Sequence, residues 1–269
     1  MSGRCPAAHG RGSLLPVTLG PRRPGRSRRG DPDRLVIDLR EQLAALSNPP
    51  SLPPGWALEL AHLTADGAAF GGDFCVSALT RQGKLLELVL VDVSGKGIEA
   101  GTRALMLAGA VSGILGAVPP TEVLPALNAH LLRQGWDDGF GTAVHVAVTL
   151  ASGDYALSVA GHPPPAEFHA GAGDWRVLES SGVLLGVTDT AFWPVQHGRL
   201  DAGDALLLYT DGCVERSHED IDTGIDRLLG NAYRQVLQGF AGGAARLLEA
   251  GGDAHDDREI VWLWREPTS

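Results

Sequence analysis

The sequence has few cysteines and no long apolar run, and each scarcity excludes a class of protein. Three cysteines occur among 269 residues, and they stand far apart with no CxxC pair. This spacing argues against a disulfide-stapled scaffold and against a zinc ribbon, and it suits a reducing, cytoplasmic compartment. No stretch reaches about 18 consecutive apolar residues without a charge, so we expect no membrane-spanning helix.

Basic residues are scarce outside the N-terminal segment. Residues 1–34 hold eight Arg and two Asp, a net charge of +6, which leaves −16 for the rest of a chain whose overall charge is −10. An acidic body does not suit a nucleic-acid surface, because contacts to the phosphate backbone require positive charge. It does suit a protein that gathers carboxylates around cations.

Composition and spacing divide the chain into three parts. Residues 1–30 are rich in Arg, Pro, Gly and Ser without an apolar period, which predicts a disordered basic tail, with a targeting signal as the alternative. Residues 31–50 are predicted to form an N-terminal helix and linker, because Asp31-Pro32 is a typical helix start and leucines follow at helical spacing. Residues 51–269 are expected to form the main domain.

The main domain reads as short strands joined by glycine turns, with helices kept apart from them. We expect nine strands, at Trp56–Thr64, Phe74–Thr80, Leu85–Asp92, Thr142–Leu150, Tyr155–Ala160, Ala166–His169, Trp193–Leu200, Ala205–Tyr209 and Glu259–Trp264. Helices are expected at about Ile98–Leu115 and Thr121–Gln134, with one or two more in Asp222–Ala250. This order indicates antiparallel sheets with helices outside them.

Four aspartate positions stand out because each lies where an apolar strand meets a turn. They are Asp73, Asp92, Asp211 and the Asp256-Asp257 pair. Buried carboxylates that are brought together repel one another, and a divalent cation relieves both the repulsion and the burial cost. Carboxylate oxygens without a His/Cys set favour hard ions such as Mg²⁺ or Mn²⁺. The alternative interpretation is that these aspartates belong to ordinary turns.

The glycine loop after Asp92 has two rival interpretations, and both fail. A phosphate-binding P-loop needs a Gly where the chain has Leu90, and a Ser or Thr where it has Gly97. A dinucleotide-binding fold needs an acidic residue at the end of a second strand about 20 residues further on, and none is present. The loop therefore indicates neither a P-loop nucleotide site nor an oxidoreductase.

Six short motifs occur in the order of one known family. They are Gly71-Gly72-Asp73-Phe74, Asp92-Val93-Ser94-Gly95-Lys96-Gly97, Phe140-Gly141-Thr142-Ala143, Ala160-Gly161-His162-Pro163-Pro164-Pro165, Leu208-Tyr209-Thr210-Asp211-Gly212 with Glu215, and Asp256-Asp257. Each motif alone is weak, but six in order are highly specific. Over about residues 55–265 the chain resembles the SpoIIE/RsbU-type branch of the metal-dependent (2C-like, PPM) protein serine/threonine phosphatases.

That resemblance implies an α+β fold, a four-layer α/β/β/α sandwich of two antiparallel sheets flanked by helices. It also implies two Mn²⁺ or Mg²⁺ ions in a cleft at one edge. Asp92 is similar to the ligand that bridges both ions. Asp211 and Asp256 resemble further ligands of one ion, and Asp73, with the Val93 backbone carbonyl beside it, resembles a ligand of the other. In such a centre the ions lower the pKa of a water that attacks phosphate, so no nucleophilic side chain is needed.

The same resemblance implies a substrate and partners. It points to phosphoserine or phosphothreonine on a small regulatory protein, typically an anti-sigma-factor antagonist in bacterial partner switching. An upstream sensor or regulator is a further expected partner. The alternative is a catalytically weak or inactive pseudophosphatase that binds a phosphoprotein without turnover. All four ligand-position aspartates are present, which favours activity.

Two residues beside the motifs are weaker candidates for substrate binding, and two positions depart from the family pattern. Lys96 is a candidate phosphate contact, or only a solvated lysine on a glycine loop. His162 is a candidate general acid or ligand, or a histidine that fixes a proline-rich loop. The family's second Asp, three residues after the first, is Val76 here, and its usual Thr after the paired aspartates is Glu259. Both positions lie near the expected centre and bear on metal affinity.

Overall fold

A computed structural model describes the protein over residues 32–65, 68, 70–95, 97–136, 139–179 and 181–267. The α-helices of these ranges are α1 (Pro32–Leu46), α2 (Gly97–Ile114), α3 (Val123–Gln134), α4 (Ile221–Val236) and α5 (Gly243–Ala250). The strands are β1 (Trp56–Leu63), β2 (Phe74–Thr80), β3 (Leu85–Val93), β4 (Gly141–Thr149), β5 (Asp154–Ala160), β6 (Ala166–His169), β7 (Asp174–Val177), β8 (Gln196–Arg199), β9 (Ala205–Tyr209) and β10 (Arg258–Arg265). The predicted basic tail, residues 1–30, lies outside the described residues.

The strands form two five-stranded sheets in which neighbouring strands are antiparallel. Sheet I has the order β1-β10-β9-β6-β7, and sheet II has the order β2-β3-β4-β5-β8. The middle strand of sheet I, β9, runs beside β10, so the end of β9 and the start of β10 meet at one edge. In sheet II the start of β2 and the end of β3 meet in the same way.

Strand β3 shows why the sheets stack as a sandwich. Its successive side chains point to opposite faces, as in any strand. Leu86, Leu88 and Leu90 enter the core between the two sheets. Val89 and Val91 enter the core between sheet II and the helices α1, α2 and α3. Because both faces are covered, β3 has an almost continuous apolar sequence rather than an alternating one.

A third core lies outside sheet I. There α4 and α5 cover an aromatic cluster of which Trp262 is fully buried and Phe240 packs against Trp264 with ring centroids 5.6 Å apart. The layer order is therefore helices, sheet II, sheet I, helices. The α/β/β/α sandwich implied by the family resemblance is confirmed.

Most predicted elements are confirmed to within a few residues, with two differences. The strand predicted at Trp193–Leu200 is shorter, Gln196–Arg199, because Trp193 instead turns inward and its indole N–H donates to the Val183 carbonyl at 2.8 Å. Strand β7, Asp174–Val177, was not predicted, because it is a largely exposed edge strand of four residues, too short for a clear sequence pattern. No helix in the described ranges is long and apolar enough to cross a bilayer.

Candidate metal centre

The four predicted aspartates come from both sheets and meet at one edge of the sandwich. Asp73 immediately precedes β2, and Asp92 is the next-to-last residue of β3. Asp211 opens a short 3-10 turn after β9, and Asp256 lies in the loop before β10. Their carboxylates lie close enough to interact, since the negative charges of Asp211 and Asp256 raise the pKa of Asp92. The structure therefore brings together the carboxylates that the sequence singled out.

Asp73 is the most deeply buried member of this cluster. Its side chain is 3% exposed, and its Oδ2 atom has no hydrogen-bond partner within the described part of the chain. Burial, followed by the charge of Asp92, raises the pKa of Asp73 well above its ordinary value, although a hydrogen bond from Thr210 opposes the rise. A buried carboxylate oxygen without a partner is costly and indicates a missing positive charge.

Asp92 and Asp211 show the same electrostatic strain. Burial and the charge of Asp211 raise the pKa of Asp92 from 3.8 to about 7. Burial and the charge of Asp256 raise the pKa of Asp211 to about 6. Like charges in a partly desolvated site disfavour one another, so ionisation of the cluster costs free energy that a bound cation would offset.

The glycines of the motifs allow the backbone to close tightly around the carboxylates. A Cβ atom on Gly72 would stand 2.7 Å from the Val93 carbonyl oxygen. A Cβ atom on Gly212 would stand 2.1 Å from the Asp257 carbonyl oxygen. Only glycine permits these approaches, which place the Val93 carbonyl beside the loop that bears Asp73.

Asp257 has a role that the sequence analysis did not assign. Its Oδ1 accepts the Ala65 N–H at 2.9 Å, and its Oδ2 accepts the Gly72 N–H at 2.7 Å. The side chain therefore holds the loop that precedes Asp73 against the start of β10. The only sequence signal for this role is that two aspartates are consecutive. Asp256 joins the carboxylate cluster, and Asp257 binds the loop.

His162 is buried and hydrogen-bonded to residues of two strands. It is 3% exposed, and burial lowers its pKa to about 4, so the ring is neutral. Its Nε2–H donates to the Tyr209 carbonyl at 3.0 Å, and Nδ1 accepts the Thr142 hydroxyl at 2.7 Å. The ring thus ties the end of β9 to β4, beside Asp92. These contacts favour the loop-fixing alternative for His162, and its substrate-binding role stays a prediction.

The remaining predicted residues divide between the core and the undescribed part of the chain. Val76 packs into the core between sheet II and the helices, so that departure from the family pattern lies on the helix-facing side of β2. Lys96 lies outside the described residues. The cysteines beside two motifs, Cys75 and Cys213, are buried, and burial raises the pKa of both thiols. Neither is therefore poised as a thiolate nucleophile.

The residues present suit a hard divalent cation in their chemistry and burial. They offer carboxylates with raised pKa values, a buried Asp73 oxygen without a hydrogen-bond partner among the described residues, and a close backbone carbonyl. In the residues that the structure covers, no three Asp, Glu, His or Cys side chains already stand as a metal-binding group. Side-chain rotation of the aspartates would therefore have to accompany binding of an ion.

Comparison with known proteins agrees with this architecture. The sequence profile of the family described as Stage II sporulation protein E (SpoIIE) matches residues 82–265, well over half of the chain. The chain belongs to the SpoIIE family. Phosphoserine phosphatase RsbU from Bacillus subtilis is 21% identical over 224 residues, which are 80% of this chain and 65% of that protein. This SpoIIE-family chain thus spans less than two thirds of the length of that relative.

Solved structures share the fold. The RsbU and RsbW domains of a Mycobacterium tuberculosis protein align with a TM-score of 0.73 and 27% identity, over 83% of this SpoIIE-family chain and 64% of that chain. RsbX, solved in complex with magnesium, aligns with a TM-score of 0.60 and 15% identity, over 80% of this chain and 98% of that chain. The second likeness concerns the fold alone.

Proposed function

We propose that this chain is a metal-dependent phosphatase that hydrolyses phosphoserine or phosphothreonine on a regulatory protein. The observation that carries the proposal is the cluster of buried, mutually repelling carboxylates of Asp73, Asp92, Asp211 and Asp256 at one edge of the sandwich. Membership of the SpoIIE family and similarity to a phosphoserine phosphatase support the reaction class.

In this proposal the four aspartates and the Val93 carbonyl hold two Mn²⁺ or Mg²⁺ ions. Bound divalent cations supply an acidic water and the positive charge that stabilises a phosphoryl transition state. The chain's own residues position the ligands. Thr210, fully buried, supports Asp73 through a hydrogen bond, and Asp257 holds the loop in front of it. Such supporting contacts set the affinity and geometry of metal sites.

The proposed substrate is a small folded phosphoprotein of the anti-sigma-factor-antagonist type. Two relatives support this, since one is named phosphoserine phosphatase RsbU and another structure joins RsbU and RsbW domains. Charge supports it too. The body outside residues 1–34 carries −16, so a short acidic phosphopeptide would be repelled, whereas a folded partner can offer complementary shape and charge.

The test is a hydrolysis assay on the full chain with two substrates. A generic ester, p-nitrophenyl phosphate, and a serine-phosphorylated folded protein are each offered with Mn²⁺ and with excess EDTA. We expect release of phosphate from both with Mn²⁺ and none with EDTA. Asp92→Asn should abolish the activity, whereas Asp201→Asn, an exposed aspartate in the loop between β8 and β9, should not.

The outcomes separate this function from the alternative. Tight binding of the phosphoprotein without hydrolysis at any Mn²⁺ concentration would establish a pseudophosphatase. Full activity in EDTA would refute the metal-dependent mechanism, because in that mechanism the ions supply the attacking water.

A further inference from the structure

Glu259 is a buried carboxylate next to the metal centre, at the position where the family commonly has Thr. It lies on β10, directly opposite His62 of β1 in the register of sheet I. Its side chain is 3% exposed, and Oε2 lies 3.4 Å from Nδ1 of His62, which is 37% exposed. A carboxylate buried to this degree is uncommon unless it is paired or has a role as a charge.

A single buried hydroxyl connects Glu259 to Asp73. The Thr210 Oγ1 atom accepts the Glu259 N–H at 2.9 Å, and the Thr210 N–H donates to the Glu259 carbonyl at 3.1 Å. Thr210 also hydrogen-bonds Asp73. Because these contacts use the backbone of Glu259, a substitution at 259 that preserves the backbone leaves this connection in place.

Both carboxylates face one cavity. A cavity of about 450 Å³ is lined by His62, Asp73 and Glu259. Arg40 and Leu43 of α1 also line it. The charge of Glu259 is thus directed at the same space that Asp73 borders, and it is not screened by bulk water as an exposed carboxylate would be.

The sign of the effect follows from the position of the two carboxylates. Glu259 is 3% exposed and borders the same cavity as Asp73. Two negative charges that border one cavity repel each other, and both attract a cation that binds there. His62 offsets part of this charge, because burial lowers its pKa while the hydrogen bond and charge of Glu259 outweigh that effect and raise it.

We propose that Glu259 is an affinity-determining residue of the metal centre, which strengthens cation binding on the Asp73 side through its charge and without coordinating the ion. The inference rests on the proposed metal-dependent function and deepens it. It also assigns a consequence to the replacement of the family's Thr, since a neutral residue at 259 would retain the backbone contacts to Thr210 and lack the charge.

The test measures Mn²⁺ binding directly by isothermal titration calorimetry on the full chain, with no substrate present. Glu259→Gln removes the charge and keeps the size. Glu249→Gln, an exposed position on α5, gives the same change in net charge far from the site. Supporting residues around metal ligands typically contribute about ten- to a hundredfold to affinity. We expect a loss of about tenfold or more for Glu259→Gln and no loss for Glu249→Gln.

A second readout separates charge from structural damage. In EDTA the Glu259→Gln protein should still unfold in one cooperative transition, because Gln keeps the size of the side chain and the backbone contacts to Thr210. If Glu259→Gln does not fold, Glu259→Thr, the family's usual residue, takes its place in the same titration. Thr should show the same weakened Mn²⁺ binding as Gln.

The failure of this inference differs from the failure of the proposed function. A parent chain that binds Mn²⁺ while a folded Glu259→Gln or Glu259→Thr variant binds it equally well would overturn the inference alone. A parent chain that binds no Mn²⁺ would overturn the proposed function and the inference with it.

Discussion

Replacing Asp92 with Asn should remove activity and yet stabilise the protein when chelator is present. The reason is that Asp92 is a partly buried carboxylate beside other carboxylates, and burial and the charge of Asp211 raise its pKa from 3.8 to about 7. A carboxyl group whose pKa is higher in the folded state favours folding while it is protonated. Its contribution is therefore present below about pH 3.8, declines as the pH rises, and is fully lost above about pH 7.

The magnitude follows from the difference between the two pKa values. At 1.36 kcal/mol per pKa unit, the change from 3.8 to about 7 corresponds to roughly 4 kcal/mol of destabilisation above pH 7. Because neighbouring carboxylates titrate together, part of this energy belongs to Asp73 and Asp211. We therefore expect Asp92→Asn to gain about 2 kcal/mol at pH 8, half of the full figure. For a domain of this size that is an increase in Tm of about 4–8 °C.

The assay is thermal unfolding of parent and Asp92→Asn protein in EDTA at pH 8 and at pH 5. By the same linkage, the gain at pH 5 should be about a third of the gain at pH 8. Addition of Mn²⁺ should reverse the order, because binding stabilises the parent more than the variant. The control is the exposed Asp201→Asn, which should leave the Tm nearly unchanged. A lower Tm for Asp92→Asn than for the parent in EDTA at pH 8 would refute the reasoning.

Four further predictions concern two glycines of α2, His162 and the N-terminal segment. Gly109→Ala in α2 should raise the stability by about 1 kcal/mol in chemical unfolding, because the added methyl meets no atom within 4 Å. Gly101→Ala should lower it, because the methyl would stand 2.2 Å from the Phe70 ring. His162→Ala should cost about 2 kcal/mol of unfolding free energy by removing two buried hydrogen bonds. Deleting residues 1–30 should leave the Tm nearly unchanged in differential scanning calorimetry, because the segment has no apolar face to bury.

Each of these has a distinct contradicting result. Equal changes in unfolding free energy for Gly101→Ala and Gly109→Ala would mean that helix propensity alone sets the effect of each substitution. An unchanged unfolding energy for His162→Ala would show that its hydrogen bonds are replaced by water. A large drop in Tm after deletion of the tail would show that residues 1–30 fold onto the body.

Local patterns predicted most of the fold because the relevant signals lie within short stretches. Strand β3 is an apolar run that ends in Asp92, and α1 follows a Pro32 helix start, so neither needs long-range information. Strand β7 at Asp174–Val177 was not predicted because it has only four residues, and its pairing with β6 is visible only in the structure. The inward turn of Trp193 likewise depends on a carbonyl ten residues earlier in the chain.

The sequence predicts which aspartates belong to the candidate metal centre, but it does not predict the contacts of the residues around them. The aspartates at strand ends are visible in the sequence, and the order of motifs fixes which of them belong together. The partners of the Asp257 and Glu259 side chains are not visible, because they come from loops and strands more than 180 residues away along the chain. The role of His162 was open for the same reason, since its acceptor, the Tyr209 carbonyl, carries no sequence signal.

The most direct test of the central claim is to locate the cations. Crystals of the full chain grown with Mn²⁺ would be measured near the manganese absorption edge. We expect anomalous peaks at the edge of the sandwich, in contact with Asp92 and with side chains from both sheets, Asp73 on one and Asp211 on the other. Manganese bound elsewhere, or no peak at this edge in a protein that hydrolyses phosphate esters, would contradict the account.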